Sequence, residues 1–326
     1  MKIERIVLRN LRAIRSRDDT FGGSPSVCLR GLNGSGKTTY LEAIAQLWQW
    51  FRRCTLRQGF ATPAADSVLT DAGLVAVLFT ELPGPRSRMW VAWGTKELLG
   101  EFVIGSPDSA VEVHGDRIRW EPATLMWWTQ AFARAESGGE AIPNVVCIEA
   151  ENKYVPAFRL GELARSVPAP AFAPVARHLP SARGANHLEG IMRTLFLARP
   201  ERWATLTREF TRLRPNLKLL DRFDATGERP IFQTLEGDTL TVDRLSAGER
   251  SVLINLCMIL RWLTPGGLVL IDEPELHQHL SLMRGSIAVA EALVDEEFGG
   301  QLFAASHATE VWDHFRSSGT LVDLDS

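Results

Sequence analysis

Three short stretches of this chain combine residue types and spacings that could handle a triphosphate. The first, Gly31-Leu32-Asn33-Gly34-Ser35-Gly36-Lys37-Thr38-Thr39, fits the pattern G-x-x-x-x-G-K-[ST]. Glycines at this spacing let the backbone curl until several N–H groups aim at one anion, and a following helix adds the positive end of its dipole. Lys37 is then placed to reach the terminal phosphates and the Thr38 hydroxyl to ligate Mg²⁺. Asn33, Gly34, Ser35, Gly36, Lys37, Thr38 and Thr39 are therefore the candidate phosphate-contacting residues. The second stretch, Leu268-Val269-Leu270-Ile271-Asp272-Glu273, is an apolar strand that ends in two acids. Doubly wound sheets bind ligands at the carboxyl ends of their strands. Asp272 is thus expected to hold the metal, directly or through water, and Glu273 to polarise an attacking water, as phosphoryl transfer to water requires. The third, Leu245-Ser246-Ala247-Gly248-Glu249, precedes a long apolar helix, so Ser246 reads as its N-cap. A second helix N-terminus bearing Ser and Gly can bind a second anion, yet one chain does not normally fold both ends onto the same phosphate.

These motifs need elements to carry them. The opening reads as a strand from Ile3 to Leu8, a basic turn through Arg9, Arg12, Arg15 and Arg17, and a second strand from Ser26 to Arg30. That strand feeds the glycine loop, and a helix from about Thr39 to Arg53 follows, with Leu41, Ile44, Ala45, Leu47 and Trp48 on its apolar face. Runs at Leu74 to Leu82, Met89 to Gly94, Leu98 to Ile104, Val111 to Val113 and Arg117 to Trp120, punctuated by Pro83-Gly84-Pro85, predict a small antiparallel sheet. Asn144 to Glu149 returns as a buried strand, and Pro156 to Phe223 reads as helical, broken around Pro168-Ala169-Pro170. A hairpin turning at Gly237-Asp238 comes next, then the helix to about Trp262 and the strand ending at Asp272. A helix over about Leu282 to Phe298, a strand Gln301 to Ala305 ending at Ser306-His307, a short helix and a last strand Thr320 to Leu324 complete the alternation. Strand and helix alternate as in a parallel α/β core. The expected division is 1–150 (loop and antiparallel subdomain), 151–230 (an inserted basic helical lobe) and 231–326 (the second and third motifs).

Composition bounds the function. Of 326 residues, 45% are hydrophobic and 23% charged, which describes an ordinary folded chain with a sizeable core. No apolar run nears the roughly 18 residues of a membrane span, and the start lacks a secretory signal, so the cytoplasm is the expected compartment. The four cysteines stand far apart, which speaks against a zinc site or a disulfide framework. The net charge of −3 hides a basic block: residues 155–222 carry twelve Lys/Arg against five acids, an excess of seven. Such a block is either a polyanion footprint or the solvated face of a helical lobe.

Taken together, the glycine loop, Leu245-Ser246-Ala247-Gly248-Glu249 and Asp272-Glu273-Pro274-Glu275-Leu276-His277 resemble the ABC-type P-loop ATPases, in particular the RecF/SMC/OLD-like branch. The resemblance covers about residues 1–50 and 231–310. It implies an α/β ABC-type ATPase head with a mixed or parallel core sheet, an antiparallel subdomain and an inserted helical lobe. It also implies ATP and Mg²⁺ as cofactors, and a head-to-tail homodimer in which Ser246, Gly248 and Glu249 of one subunit face the ATP held by Lys37 of the other. His307 falls at the branch's switch histidine, which senses the γ-phosphate, and Arg12 where a basic residue follows the first strand near the nucleotide. Leu280 stands where relatives often have proline, and Gln130 and Glu149-Ala150-Glu151-Asn152 are the candidates for the branch's glutamine-bearing loop. His277 and His279 alternate, but without evident further ligands for a metal. Gly36 and Ser246 lie 210 positions apart, unlike transporter ATPases, and no heptad run suggests a long coiled coil. Only 19 residues follow His307, too few for a fused nuclease, so any nuclease or other effector is expected on another chain. Two roles follow: a subunit that gates a separate effector in bacterial defence, or a RecF-like ATPase acting on DNA.

Overall fold

The computed structural model describes residues 1–104, 111–114, 117–120, 122–155, 161, 172–179 and 181–325. Its centre is a six-stranded sheet running, edge to edge, through β15 (Thr320–Asp323), β3 (Ser26–Arg30), β14 (Gln301–Ser306), β13 (Leu268–Asp272), β8 (Val145–Ile148) and β9 (Val175–Arg177). Every neighbouring pair is parallel. Strands of this kind are buried on both faces and so read as unbroken apolar runs. All residues of β8, β13 and β14 are buried.

The two faces divide by strand alternation. Val27, Leu29, Val145, Cys147, Leu268, Leu270, Phe303 and Ala305 join a core shared with helix α1 (Lys37–Arg57) and helix α3 (Pro122–Glu136). Cys28, Val146, Ile148, Val269, Ile271, Leu302 and Ala304 join a second core. That one holds α4 (Leu188–Ala198), α5 (Pro200–Leu213), α6 (Ala247–Trp262), α7 (Leu280–Ala292) and α8 (Thr309–Ser318). Under α1, Trp48 lies with its ring centroid 5.2 Å from Phe51, 5.2 Å from Phe79 and 5.7 Å from Trp128. All four cysteines are free and buried, and burial pushes the thiol of Cys54 up to about 11 and that of Cys147 up to about 12.

An antiparallel sheet packs beside the first core, in the order β2 (Ile14–Thr20), β1 (Lys2–Leu11), β4 (Leu74–Thr80), β5 (Met89–Gly94). Of the stretch expected as a basic turn, Arg9 extends β1, Arg12 lies in the tight turn, and Arg15 and Arg17 belong to strand β2. It was hard to see because Ile14 is its only apolar residue. Its charges suit an exposed edge, and Arg17 pairs with Asp19 at 2.7 Å. A second correction concerns Leu98 to Ile104, expected as a strand. It forms helix α2 (Lys96–Ile104), which buries Leu99 and sets Phe102 edge-on to Trp90 at 4.9 Å. The runs at 111–114 and 117–120 do pair as strands β6 (Val111–His114) and β7 (Arg117–Trp120).

The stretch expected to be helical from 156 to 223 is mixed. Helices occupy Leu188–Ala198 and Pro200–Leu213, while β9 joins the central sheet and β10 (Leu217–Phe223) pairs with β11 (Pro230–Thr234), itself paired with β12 (Thr239–Leu240). Pro168-Ala169-Pro170 lies outside the described residues. Among the described residues no helix is long and apolar enough to cross a membrane.

Trp48 anchors the first core, so Trp48→Ala should lower the unfolding free energy by about 3–5 kcal/mol. Chemical denaturation followed by tryptophan-independent far-UV circular dichroism checks this; a loss below about 1 kcal/mol would contradict the packing described.

Candidate functional site

The parallel sheet sends β3, β13, β14 and β8 to the same edge, and the candidate residues collect there. After β3 the chain turns through glycines in left-handed conformations, Gly34 at φ 85° and Gly36 at φ 98°. A Cβ on Gly31 would stand 2.5 Å from Ser35 Oγ, and one on Gly36 would stand 2.8 Å from Ile14 Cγ1, so the loop is closed tightly over itself and against β2. Gly36 is the N-cap of α1 and brings no side chain to its first turn, which leaves those N–H groups for another acceptor. The buried Lys37 ammonium lies across the loop, donating to the carbonyls of Gly31 (2.7 Å) and Leu32 (2.8 Å). Asn33, Gly34 and Thr38 are exposed, Ser35 and Thr39 half-buried.

At the end of β13, Asp272 accepts a 2.7 Å hydrogen bond from the Thr38 hydroxyl, 234 positions away in the chain. Burial raises the Asp272 carboxyl above its ordinary range, with the Thr38 hydrogen bond opposing. Glu273 then takes a left-handed backbone, φ 46°, a conformation that costs a residue with a side chain about 1–3 kcal/mol. Its N–H donates to the Ala305 carbonyl at 2.8 Å, and its own carbonyl accepts from the Lys153 ammonium. His307, just beyond β14, brings Nδ1 to 3.4 Å from Glu273 Oε1 and 3.5 Å from Glu275 Oε1. Glu275 Oε1 is fixed by the Ser306 hydroxyl (2.7 Å) and the His307 N–H (3.3 Å).

Ser246 caps α6 as its sequence suggests, within a full capping box. Its hydroxyl donates to Glu249 Oε2 at 2.9 Å and its N–H to the same oxygen at 2.8 Å, while Arg214 pairs with Glu249 Oε1 at 2.7 Å. Gly248 permits a close approach: a Cβ there would meet the His277 carbonyl at 2.7 Å. The motif helix thus rests on the turn that follows Glu273. Leu280, whose local geometry the sequence left open, starts α7 and is 42% exposed. Among the described residues no hydrogen bond joins Ser246, Gly248 or Glu249 to the Gly31–Thr39 loop of the same chain.

Arg12 lies just before Ala13 and Ile14, the residues that face Gly36. It holds a left-handed φ of 50°, pairs with Asp71 at 3.7 Å and lines a cleft of about 800 Å³ with Gln46, Gln49, Ser67 and Arg177. Gln130 is exposed on α3. Glu149, by contrast, follows β8 and lines a small cavity with Thr38, Glu42 and Asp272, where Arg177 pairs with both Glu42 and Glu149. Burial raises the Glu149 carboxyl, against the pull of Arg177. Glu42, Arg177 and Lys153 were not found by sequence reasoning; Lys153 is an isolated lysine in a polar stretch, with nothing in its neighbours to single it out. Burial lowers the Lys153 ammonium to about 8, while Glu275, Asp272 and Glu273 pull the other way. No cluster of three or more His, Cys, Asp or Glu side chains able to hold a metal occurs among the described residues, His277 and His279 included.

At least five of the twelve basic residues of the block have partners within the chain. Arg177 pairs as above, Arg208 and Arg212 pair with Glu209, and Arg214 with Glu249. Arg202 donates to the Leu260 carbonyl at 2.6 Å and lies 4.9 Å over the Phe298 ring.

No protein-family model and no curated protein matches this sequence. Solved structures do resemble the fold. The SMC head domain from Thermotoga maritima shares 13% identity over 99% of this chain and 94% of its own, with a TM-score of 0.50. An SMC head bound to the C-winged helix domain of ScpA shares 12% identity over 96% and 92%, with a TM-score of 0.53. The architecture is that of an ABC-type P-loop head. Within that class it is the fold of the SMC head domains, as the RecF/SMC-like resemblance of its motifs implies.

Gly36→Ala should cost about 1–3 kcal/mol through its left-handed φ and the contact with Ile14. Adding Ile14→Ala should cost less in the Gly36→Ala background than in the wild type. Urea midpoints of the four proteins check this, and strict additivity would remove Ile14 as the obstacle.

Proposed function

We propose that this chain binds ATP with Mg²⁺, hydrolyses it, and does so as a head-to-tail homodimer that encloses two ATP molecules. The observation that carries this reading is the hydrogen bond from Thr38 to Asp272, which brings a glycine loop and a buried acidic strand end to one point. Their two oxygens, 2.7 Å apart, form a hard donor set, and the burial that raises the Asp272 carboxyl leaves it in want of a cation. Both traits suit Mg²⁺, which takes few protein ligands and completes its shell with phosphate oxygens and water. Bound there, Mg²⁺ neutralises charge that develops on the phosphates. The loop N–H groups from Gly34 to Thr39 and the α1 dipole receive the phosphates, and Lys37 exchanges its loop carbonyls for phosphate oxygens. Glu273 orients the attacking water and accepts its proton, with His307 alongside to sense the γ-phosphate.

Ser246, Gly248 and Glu249 serve the neighbouring subunit in this scheme. The capping box holds Ser246 exposed at a helix N-terminus, and its lack of a partner in the loop of its own chain favours a role across a dimer. Arg12 contributes to the nucleoside side of the site through the cleft it lines. The dimer works in the cytoplasm and gates a separate effector protein, for instance a nuclease or toxin in bacterial defence. Two observations favour a protein partner over DNA: at least five of the twelve basic residues of the block are already engaged within the chain, and an SMC head of like fold is bound to a winged-helix domain of ScpA.

Two measurements test the scheme. Glu273→Gln should keep ATP binding, elute as an ATP-dependent dimer on gel filtration and lose about 10²–10⁴-fold in turnover, whereas Lys37→Ala should lose nucleotide and dimer together. Mixing a Ser246→Ala variant with Lys37→Ala should restore intact composite pockets and part of the activity. A chain that hydrolyses ATP normally while strictly monomeric would refute the dimer. For the partner, a salt-dependent affinity for duplex DNA would favour the DNA reading, since each neutralised phosphate releases counterions.

A further inference from the structure

Resting on the ATPase reading above, we propose that Lys153 is a positioning residue for hydrolysis: its buried ammonium clamps the Glu273 backbone and so aims the Glu273 carboxylate. The Glu273 peptide is held from both neighbours of β13. From the β14 side its N–H donates to Ala305 at 2.8 Å; from the β8 side its carbonyl accepts from Lys153. Between those two anchors lies the left-handed turn at φ 46°. A residue with a side chain stays in such a conformation only where its surroundings over-determine it. The turn decides where the carboxylate points, so a lost anchor changes the direction of the group that must meet the water.

Charge adds to geometry. Asp272, Glu273 and Glu275 crowd one strand end, and Lys153, 5% exposed, is the ammonium that faces all three. Without it their mutual repulsion acts on Glu273, whose backbone holds a left-handed φ of 46°. Lys153 is itself well placed to act as an anchor. It follows a single 3₁₀ turn, Ala150–Asn152, whose Asn152 amide donates to Glu149 Oε2, and Glu149 is tied through Arg177 to Glu42 on α1. The glycine-loop helix, the edge strand β9 and Glu273 thus share one chain of contacts.

The test uses the full chain and Mg²⁺-ATP. Lys153→Met, which keeps the stem and removes the charge, should lower kcat on the order of 10²-fold, the cost of a roughly 1 Å misplacement, with KM and ATP-dependent dimer elution held within about twofold. Lys153→Arg should recover part of the loss. In the Glu273→Gln background, single-turnover hydrolysis should not change further on adding Lys153→Met, because the group being aimed is gone. Wild-type kcat in Lys153→Met, a rise in KM with kcat kept, or losses that multiply with Glu273→Gln would each overturn the proposal. Should Lys153→Met not fold, Lys153→Gln is read by the same criteria. A wild-type chain without any ATPase activity would instead strike the parent reading, and it is distinguished by the absence of a Glu273→Gln effect.

Discussion

The hydrogen bond between Thr38 and Asp272 is where the molecule's two halves meet, and it exists only because the central sheet is parallel. Parallel strands share a direction, so the loop after β3 and the acids after β13 open on one edge with only β14 between them. His307, at the end of that intervening strand, then reaches the acids, and β8 on the far side contributes Glu149 and Lys153. An antiparallel neighbour would have sent one of these groups to the opposite edge, about five residues or some 16 Å away. Burial does the rest. A carboxylate removed from water wants a cation or a donor: Asp272 has a hydroxyl, Glu273 an imidazole, Glu275 a hydroxyl and an imidazole, and Glu149 a guanidinium.

Elements with strong periodicity or apolar runs were legible in the sequence. The strands at Ser26, Leu268 and Gln301 and the helices after the glycine loop and after Ser246 carry long apolar patterns with clear start signals. Strand β2 was not, because an edge strand with four charges among seven residues has the composition of a turn. Leu98 to Ile104 misled in the opposite way: two leucines, a phenylalanine and a valine suggest a strand, but Leu99 and Phe102 lie on one helical face. Helix α3 carries a fair signal in Thr124, Trp128, Ala131 and Phe132, whose spacing of four, three and one marks one face. The short strand β9 has no signal at all, since Val175–Arg177 acquires its identity only by pairing with β8.

The site divides along the same line. Residues within a motif were legible because the chemistry fixes their spacing: the glycines and Lys37 in a single loop, Asp272 and Glu273 adjacent, Ser246 three positions before the Glu249 it bonds. Residues that act by being folded into place were not. Arg177 matters through Glu42 and Glu149, 135 and 28 positions away, and Lys153 through a carbonyl 120 positions on. Local sequence records nothing of such distances. The excess of charge in 155–222 was real as composition, but where its arginines go is a tertiary fact.

The placement of β3 has a bearing on how this chain comes to be folded. Its two partners are β14 and β15, so the strand that launches the glycine loop has no neighbour until residues 301–323 have been synthesised. Gln301 reinforces the dependence: its buried side chain accepts from the Ile3 N–H at 2.6 Å and donates to the Ser24 carbonyl at 2.7 Å. A nascent chain must therefore carry β3 unpaired until β14 and β15 have emerged, which is the situation in which exposed edges invite aggregation and chaperones are most needed.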